Sequence, residues 1–328
     1  MTGKLNRISD VPGVTVGHRT LVEGDIRTGV TAIRPHAGDI FRDKPLAASH
    51  VLNGFGKSVG LMQVDELGQL ETPILLTNTM SVGTCATALI RRAIEGNPRI
   101  GRQTSTVNPV VGECNDGYLN DIQALAVTEA DALAALDATT DAFEVGAIGA
   151  GAGMSCFGFK GGIGRASRQV VLDGAVFHLG TLVLANFGRA GDLVLPNGRR
   201  VGPVLGEGPK LGGPERGSVI VVVATDVPLE HRQMQRVVRR AGAGLARVGS
   251  FYGHGSGDAF LGFCTVNRVP HEAKTDVMPM RAIAEGRIDL LFEAVAEATQ
   301  EAVLDALAAS PTTRGRAGHV RPSLASVL

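Results

Sequence analysis

The stretch "ERGSVIVVVATD", residues 215–226, sets a bare glycine–serine pair, Gly217–Ser218, directly before five consecutive aliphatic residues, Val219 to Val223. A serine hydroxyl is a weak nucleophile unless a base stands beside it. Cleavage of the Gly217–Ser218 bond would create that base on the nucleophile's own residue. The new α-amino group has an ordinary pKa of about 8, so much of it is neutral near physiological pH. Gly217 offers an unhindered carbonyl and tolerates distorted backbone, and the aliphatic run predicts a rigid strand that aims Oγ. A polar, glycine-rich connection that includes Gly212 and Gly213 precedes the pair. The commonest origin of such a junction is a loop entering a strand, so other residues must decide whether it carries chemistry.

Other catalytic signatures fail on spacing. Gly56-Lys57-Ser58 lacks the glycine of a phosphate loop, because Val51 stands five positions before Gly56. In the glycine-rich stretch 145–167, Gly149 and Gly151 are followed by Met154 where a dinucleotide fingerprint needs glycine. Ser256 has His254 two residues before it, not the glycine of a nucleophile elbow. The eight histidines are scattered without H-E-x-x-H, and the four cysteines, Cys85, Cys114, Cys156 and Cys264, form no C-x-x-C pair, so neither a metal site nor a disulfide framework is expected. Lys plus Arg and Asp plus Glu both total 32, and Trp is absent, which argues against nucleic acid or an anionic membrane as partner. The N-terminus lacks an apolar signal core and no run approaches a membrane span, so the chain reads as cytoplasmic.

The elements around these residues follow from apolar period. "LIRRAIEGNP" closes a helix at Gly96 and Pro98, and 117–138 reads as helical through Ile122, Leu125, Leu133 and Leu136. Residues 168–188 read as a hairpin turning at Asp173-Gly174. Residues 228–249 form an amphipathic helix with Met234, Val237, Val238, Ala241 and Leu245 on one side. Arg232, Arg236, Arg239 and Arg240 cover the other side, a solvated face or an oligomer contact. "AFLGFCTV" predicts a strand, and a long helix runs from about Arg287 to Ala309 with Ile288, Leu291, Phe292, Val295 and Val303 inward. The tail from Ser310 reads as an exposed extension. Hairpins flanked by helices suggest a layered α/β or α+β domain, and no linker splits residues 1–328.

"GSVIVVVATDVPL" with "GHGSGDAFLGFCTVNR" resembles the second half of the L-aminopeptidase/D-Ala-esterase/amidase family, which includes the β-peptidyl aminopeptidases. "RISDVPGVTVGHRT", "VGECNDGYLND", "GAGMSCFGFKGGIGRASR" and "LVLANFG" carry the resemblance through the first half in order. It implies an αββα sandwich of N-terminal-nucleophile type, self-cleaved into an α chain of residues 1–217 and a β chain of 218–328, without cofactor and assembled as a homo-oligomer with a tetramer favoured. Ser218 matches the nucleophile, and Asn186 an amide that binds the oxyanion. Ser256 and Asp258 match a polar pair beside the new amine, where aminopeptidase members often carry Glu in place of Asp258. Glu113 matches the acceptor of the substrate's free ammonium. Asn115 departs from a Tyr found in some aminopeptidases, which leaves Asn115 or Tyr118 as second oxyanion donor. Lys160 resembles a lysine near the nucleophile in the nylon-oligomer branch, or is a hydrogen-bonding loop residue; Asp116, Asn120 and Asp121 read as turn and capping groups. The implied activity is release of N-terminal amino acids from small peptides, amides or esters. An endo-type amidase on ω-amino-acid oligomers and an uncleaved binding module stay open; the related acetyl-transfer branch cleaves before Thr instead.

Overall fold

The computed structural model describes residues 1–206 and 214–326; Gly212 and Gly213 of the connection ahead of the junction lie outside the described residues. In chain order the main elements are β1 (Thr15–Glu23), β2 (Ile26–Arg34), β3 (Asp43–Gly54), α1 (Leu61–Leu67), β4 (Ile74–Asn78), α2 (Val82–Gly96), β5 (Val110–Cys114), α3 (Glu129–Asp137), β6 (Gly162–Leu172), β7 (Ala175–Asn186), β8 (Arg216–Thr225), α4 (His231–Arg239), α5 (Ala241–Arg247), β9 (Gly255–Pro270) and α6 (Asp289–Ala309). One sheet has the order β1-β2-β4-β5 and the other β3-β9-β8-β7-β6. Within each sheet a single neighbouring pair is parallel, β4 with β5 and β8 with β9.

The aliphatic run at the junction is explained by layering. Ile220, Val222 and Ala224 of β8 pack between the sheets with Ile33, Leu76, Leu184 and Phe263. Val219, Val221 and Val223 point the other way, into a core shared with Met234 and Val237 of α4 and Leu291 and Val295 of α6. Both faces of the strand are dry, so the alternation of a half-exposed strand disappears and an unbroken apolar run remains. On the far side of the first sheet, Val30, Ala32, Leu75 and Val111 pack against Cys85 and Leu89 of α2 and Leu136 of α3. Helix, sheet, sheet and helix stack in that order, the αββα arrangement expected.

The hairpin turns where expected: Leu172 pairs with Ala175, and Asp173 and Gly174 have φ of 49° and 77°, the two positive values a type I′ turn demands. Four expectations need correction. Strand β8 begins at Arg216, ahead of the aliphatic run that predicts it, with Gly217 opposite Ser256, so the ladder runs through the junction in the uncut chain. Residues 117–138 are helical only from Glu129 to Asp137. Leu125 adopts φ 48° after a single 3-10 turn and is 61% exposed. The helix starts where Thr128 and Asp131 cap one another, the Thr128 N–H donating to Asp131 Oδ2 at 3.0 Å and the Asp131 N–H to Thr128 Oγ1 at 3.3 Å. The amphipathic helix of 228–249 breaks at Arg240 into α4 and α5. Its arginine side stays largely solvated, as expected, with Arg232 and Arg236 pairing with Glu285 and the Arg240 guanidinium 3.9 Å over the ring of Phe292. Finally, the tail is no exposed extension. Thr313–Arg314 pairs with Val320–Arg321, and the Lys160 N–H donates to the carbonyl of Pro322 at 2.9 Å.

Phe263 is fully buried in the core between the sheets. Phe263→Ala is expected to cost about 3–5 kcal/mol of stability, read from the denaturant midpoint. A loss under about 1 kcal/mol would contradict the two-sheet packing.

Candidate active site

Ser218 is the third residue of β8 and 3% exposed. In the antiparallel pair β7/β8 it stands opposite Asn186, and in the parallel pair β8/β9 opposite Gly257. Two N–H donors converge on Ser218 Oγ, the backbone N–H of Asn115 and the side-chain Nδ2 of Asn186, each at 3.3 Å.

The direction of the Asn186 amide follows from its neighbours. Its oxygen accepts the backbone N–H of Ser155 at 2.8 Å, so nitrogen faces the serine and also donates to the carbonyl of Asn115 at 2.9 Å. Ser155 comes from a two-residue ribbon, Ser155–Cys156 against Phe159–Lys160, at the edge of the glycine-rich stretch. Asn115 follows β5, and its own side-chain oxygen accepts the Gly117 N–H at 2.9 Å. The side chain therefore closes a local turn, and the backbone N–H is what points at Ser218. From this segment the donor at the Ser218 hydroxyl is thus the backbone of Asn115, not a side chain at 115 or 118. Tyr118 lies on the cavity wall, its ring stacked on His319 at 4.5 Å and covered by the Arg321 guanidinium at 3.7 Å.

Ser256 and Asp258 lie on β9, fully or almost fully buried, with Ser256 Oγ donating to Asp258 Oδ1 at 2.7 Å. Burial pushes the Asp258 carboxyl up to about 6, against the Ser256 bond that lowers it and with the Glu215 charge adding to the rise. Its second oxygen, Oδ2, is buried and has no hydrogen-bond partner among the described residues. A buried carboxylate oxygen left unpaired is costly, and the flanking register places it on the strand beside Ser218.

Glu113 is 3% exposed, and its Oε1 accepts the Lys57 backbone N–H at 2.7 Å while Oε2 accepts the Thr79 hydroxyl. Both donors are neutral, and the carboxylate forms no ion pair among the described residues. Ser218 and Glu113 open onto one cavity of about 620 Å³, whose walls include Phe55, Tyr118, Arg316 and Arg321.

Lys160 is not part of that cavity. Its ammonium is wholly buried and donates to the carbonyls of Gly151, Met154 and Gly161 at 2.8, 3.0 and 2.7 Å. Three carbonyls match its three donors, so Lys160 ties together the loop that carries Ser155; burial brings its pKa down to about 7. Of the two readings open for Lys160, these contacts match the hydrogen-bonding loop residue and not a group lining the cavity. Asp116 and Asn120 form the turn expected of them, Asn120 Nδ2 donating to Asp116 Oδ1 at 3.0 Å. Cys114 is buried next to Glu113, and burial raises its thiol well above the ordinary range, which makes it an inert neighbour.

Three contributors escaped the sequence reading. Ser155 acts through its backbone N–H, and Arg316 and Arg321 belong to the misread tail, where Arg316 Nε donates to the Gly117 carbonyl at 2.7 Å and Arg321 Nε to Ser155 Oγ at 3.1 Å. Among the described residues no cluster of His, Cys, Asp and Glu could hold a metal ion, and no helix is long and apolar enough to cross a membrane.

Comparison with known proteins agrees with this geometry. The model of peptidase family S58 matches residues 6–321. A β-peptidyl aminopeptidase of Sphingosinicella microcystinivorans is 35% identical over 345 aligned residues, covering 97% of this chain and 85% of that protein. A solved protein from Pyrococcus horikoshii OT3 superposes with a TM-score of 0.94 at 46% identity, over 99% of this chain and 92% of the other. The L-aminopeptidase D-Ala-esterase/amidase of Ochrobactrum anthropi, described as a variant of the Ntn hydrolase fold, superposes with a TM-score of 0.90 at 34% identity, again over 99% and 92%. The chain therefore belongs to peptidase family S58 and is a hydrolase of the aminopeptidase/amidase type with an N-terminal-nucleophile fold.

Proposed function

We propose that the chain cuts itself between Gly217 and Ser218 and then works as an N-terminal-serine aminopeptidase on short peptides, amides or esters. The observation that carries this reading is the convergence of the Asn115 N–H and Asn186 Nδ2 on Ser218 Oγ, with Gly217 immediately before it. A side chain at 217 would not fit, because a Cβ there would stand 2.5 Å from the Asn186 carbonyl oxygen and 2.9 Å from Phe187 Cα.

In the cutting step Ser218 Oγ attacks the Gly217 carbonyl carbon, and the C–N bond breaks as nitrogen takes the proton. Water then splits the resulting ester, leaving a carboxylate on Gly217 and a free amine on Ser218. In turnover that amine takes the hydroxyl proton while Oγ attacks the substrate carbonyl. The two N–H donors stabilise the charge that develops on its oxygen. The proton passes to the departing amine, and water, activated by the same Ser218 amine, releases the acyl group. Asp258 supports the ammonium form of Ser218 through Oδ2, which has no partner among the described residues, and Glu113 receives the substrate's ammonium. Lys160 is engaged on three carbonyls, so its contacts lend no support to an endo-type amidase.

Intact mass of the purified protein should show two species, the smaller beginning at Ser218, and Ser218→Ala should remain one chain and be inactive. A persistent single 328-residue species in an active wild-type preparation would overturn the self-processing. Acetylating the amine of an aminoacyl p-nitroanilide, or changing Glu113→Gln, should lower kcat/KM at least about tenfold, as expected for loss of a charge-assisted contact; undiminished turnover of the blocked substrate would favour the endo-type activity.

The pH dependence tests Asp258. A carboxylate beside the Ser218 amine raises that amine's pKa, so the active neutral amine is reached only at higher pH. Asp258→Asn removes the charge and should move the acid limb of kcat/KM to lower pH by about one unit while lowering the plateau. A limb that stays in place would show that Asp258 does not face the amine.

A further inference from the structure

We infer that Glu215 is a positioning residue for the self-cutting step: its carboxylate holds the chain just ahead of the scissile bond, so that the Gly217 carbonyl stays within reach of Ser218 Oγ. The inference rests on the self-processing reading above. Glu215 is a charged residue only 3% exposed, set between the exposed Pro214 and Arg216.

The scissile bond lies where strand β8 loses one of its neighbours. On the β7 side the ladder begins with the pair Ser218–Asn186, and no residue ahead of Ser218 is paired. On the β9 side it includes Gly217–Ser256 and Arg216–Gly255 and goes no further. Residues 216 and 217 are therefore tied through backbone along one edge only. That leaves the glycine peptide room to distort as the tetrahedral centre forms, and it also leaves the segment in need of another hold.

The Glu215 side chain supplies one on both sides. Oε1 accepts the N–H of Gly188, two residues past Asn186, at 3.0 Å, and Oε2 accepts the N–H of Gly253, two residues ahead of β9, at 2.7 Å. Both donors belong to chain that is itself fixed. Gly188 is left-handed at φ 84°, and a Cβ there would stand 2.3 Å from Phe157 Cε1. The Gly253 carbonyl accepts the Ser256 N–H and Asn53 Nδ2, each at 2.9 Å. One carboxylate thus joins the segment that carries Asn186 to the segment that carries Ser256 and Asp258, across the strand that is to be cut.

The residue type matters. Two N–H donors need two acceptors, which a carboxylate offers; Gln has one oxygen and would turn an NH2 on the other donor. Burial pushes the Glu215 carboxyl above its ordinary range, and the bonds from Gly253 and Gly188 pull it back. What the side chain adds is a fixed start for the backbone from 215 to 218, the stretch whose geometry decides whether Oγ meets the carbonyl carbon. This hold reaches the scissile carbonyl only while Glu215 and Ser218 belong to one chain. After the cut, turnover depends on Glu215 only through the neighbours it touches.

The test compares two rates in Glu215→Gln and Glu215→Ala. One is first-order conversion of the chain into two, followed by intact mass from the moment of synthesis in cell-free translation. The other is kcat/KM of the processed fraction on an aminoacyl p-nitroanilide. Conversion should slow at least about tenfold in Glu215→Gln, as for loss of a hydrogen bond to a charged group, and further in Glu215→Ala, while kcat/KM falls by a smaller factor. Conversion at the wild-type rate in both variants would overturn the inference, and so would equal falls in the two rates. If a variant never cuts, its fold is read in the Ser218→Ala background, where no chain cuts. A cooperative denaturant transition kept on adding Glu215→Gln assigns the loss to cutting; a lost transition would make Glu215 a residue of the fold and overturn the inference. A wild-type chain that stays whole would overturn the self-processing reading and this inference with it.

Discussion

The site depends on one strand being held from every side. β8 is paired antiparallel to β7 and parallel to β9, and from Ser218 onward every residue is buried. Because both faces are packed, a slip of one residue would turn Val219, Val221 and Val223 into the space that Ile220 and Val222 occupy. Register is therefore rigid, and it decides which residues meet at the strand's open end: Asn186 from one neighbour, Ser256 and Asp258 from the other. The first sheet contributes from across the inter-sheet core, where β5 ends in Glu113, Cys114 and then Asn115. Ser218, the two N–H groups that converge on its hydroxyl and the acidic wall are consequences of one packing solution.

The electrostatics follow the same logic. Glu113 is held by neutral donors, without an ion pair among the described residues, whereas Lys160, equally buried, spends its three donors on carbonyls. Asp258 has one oxygen bonded to Ser256 and the other without a hydrogen-bond partner among the described residues.

Part of this was legible in the residues themselves. The apolar run at 219–223 announced a strand and Asp173-Gly174 announced its turn; Ser218 stood out by its junction, while Asn186, Glu113 and the Ser256–Asp258 pair were marked only by the family resemblance. Backbone donors were not legible, because the N–H groups of Asn115 and Ser155 carry no side-chain signature. The spacing of Ile122 and Leu125 imitated a helix that Leu125, left-handed and exposed, interrupts. The tail was misread for a different reason: a glycine- and arginine-rich segment looks solvated until the fold brings Arg316 against Gly117, 199 positions away. Lys160 shows the limit of analogy, since its matching motif was found but its partners could be read only from the three carbonyls around it.

The most direct test of Ser218 as the nucleophile is to acid-quench the enzyme during turnover of an aminoacyl ester and locate the added acyl mass by peptide mapping. The predicted result is an aminoacyl group on the peptide that begins with Ser218, absent from Asn186→Ala or present there at much lower occupancy. An adduct on any other residue, Cys114 among them, would contradict the assignment of Ser218.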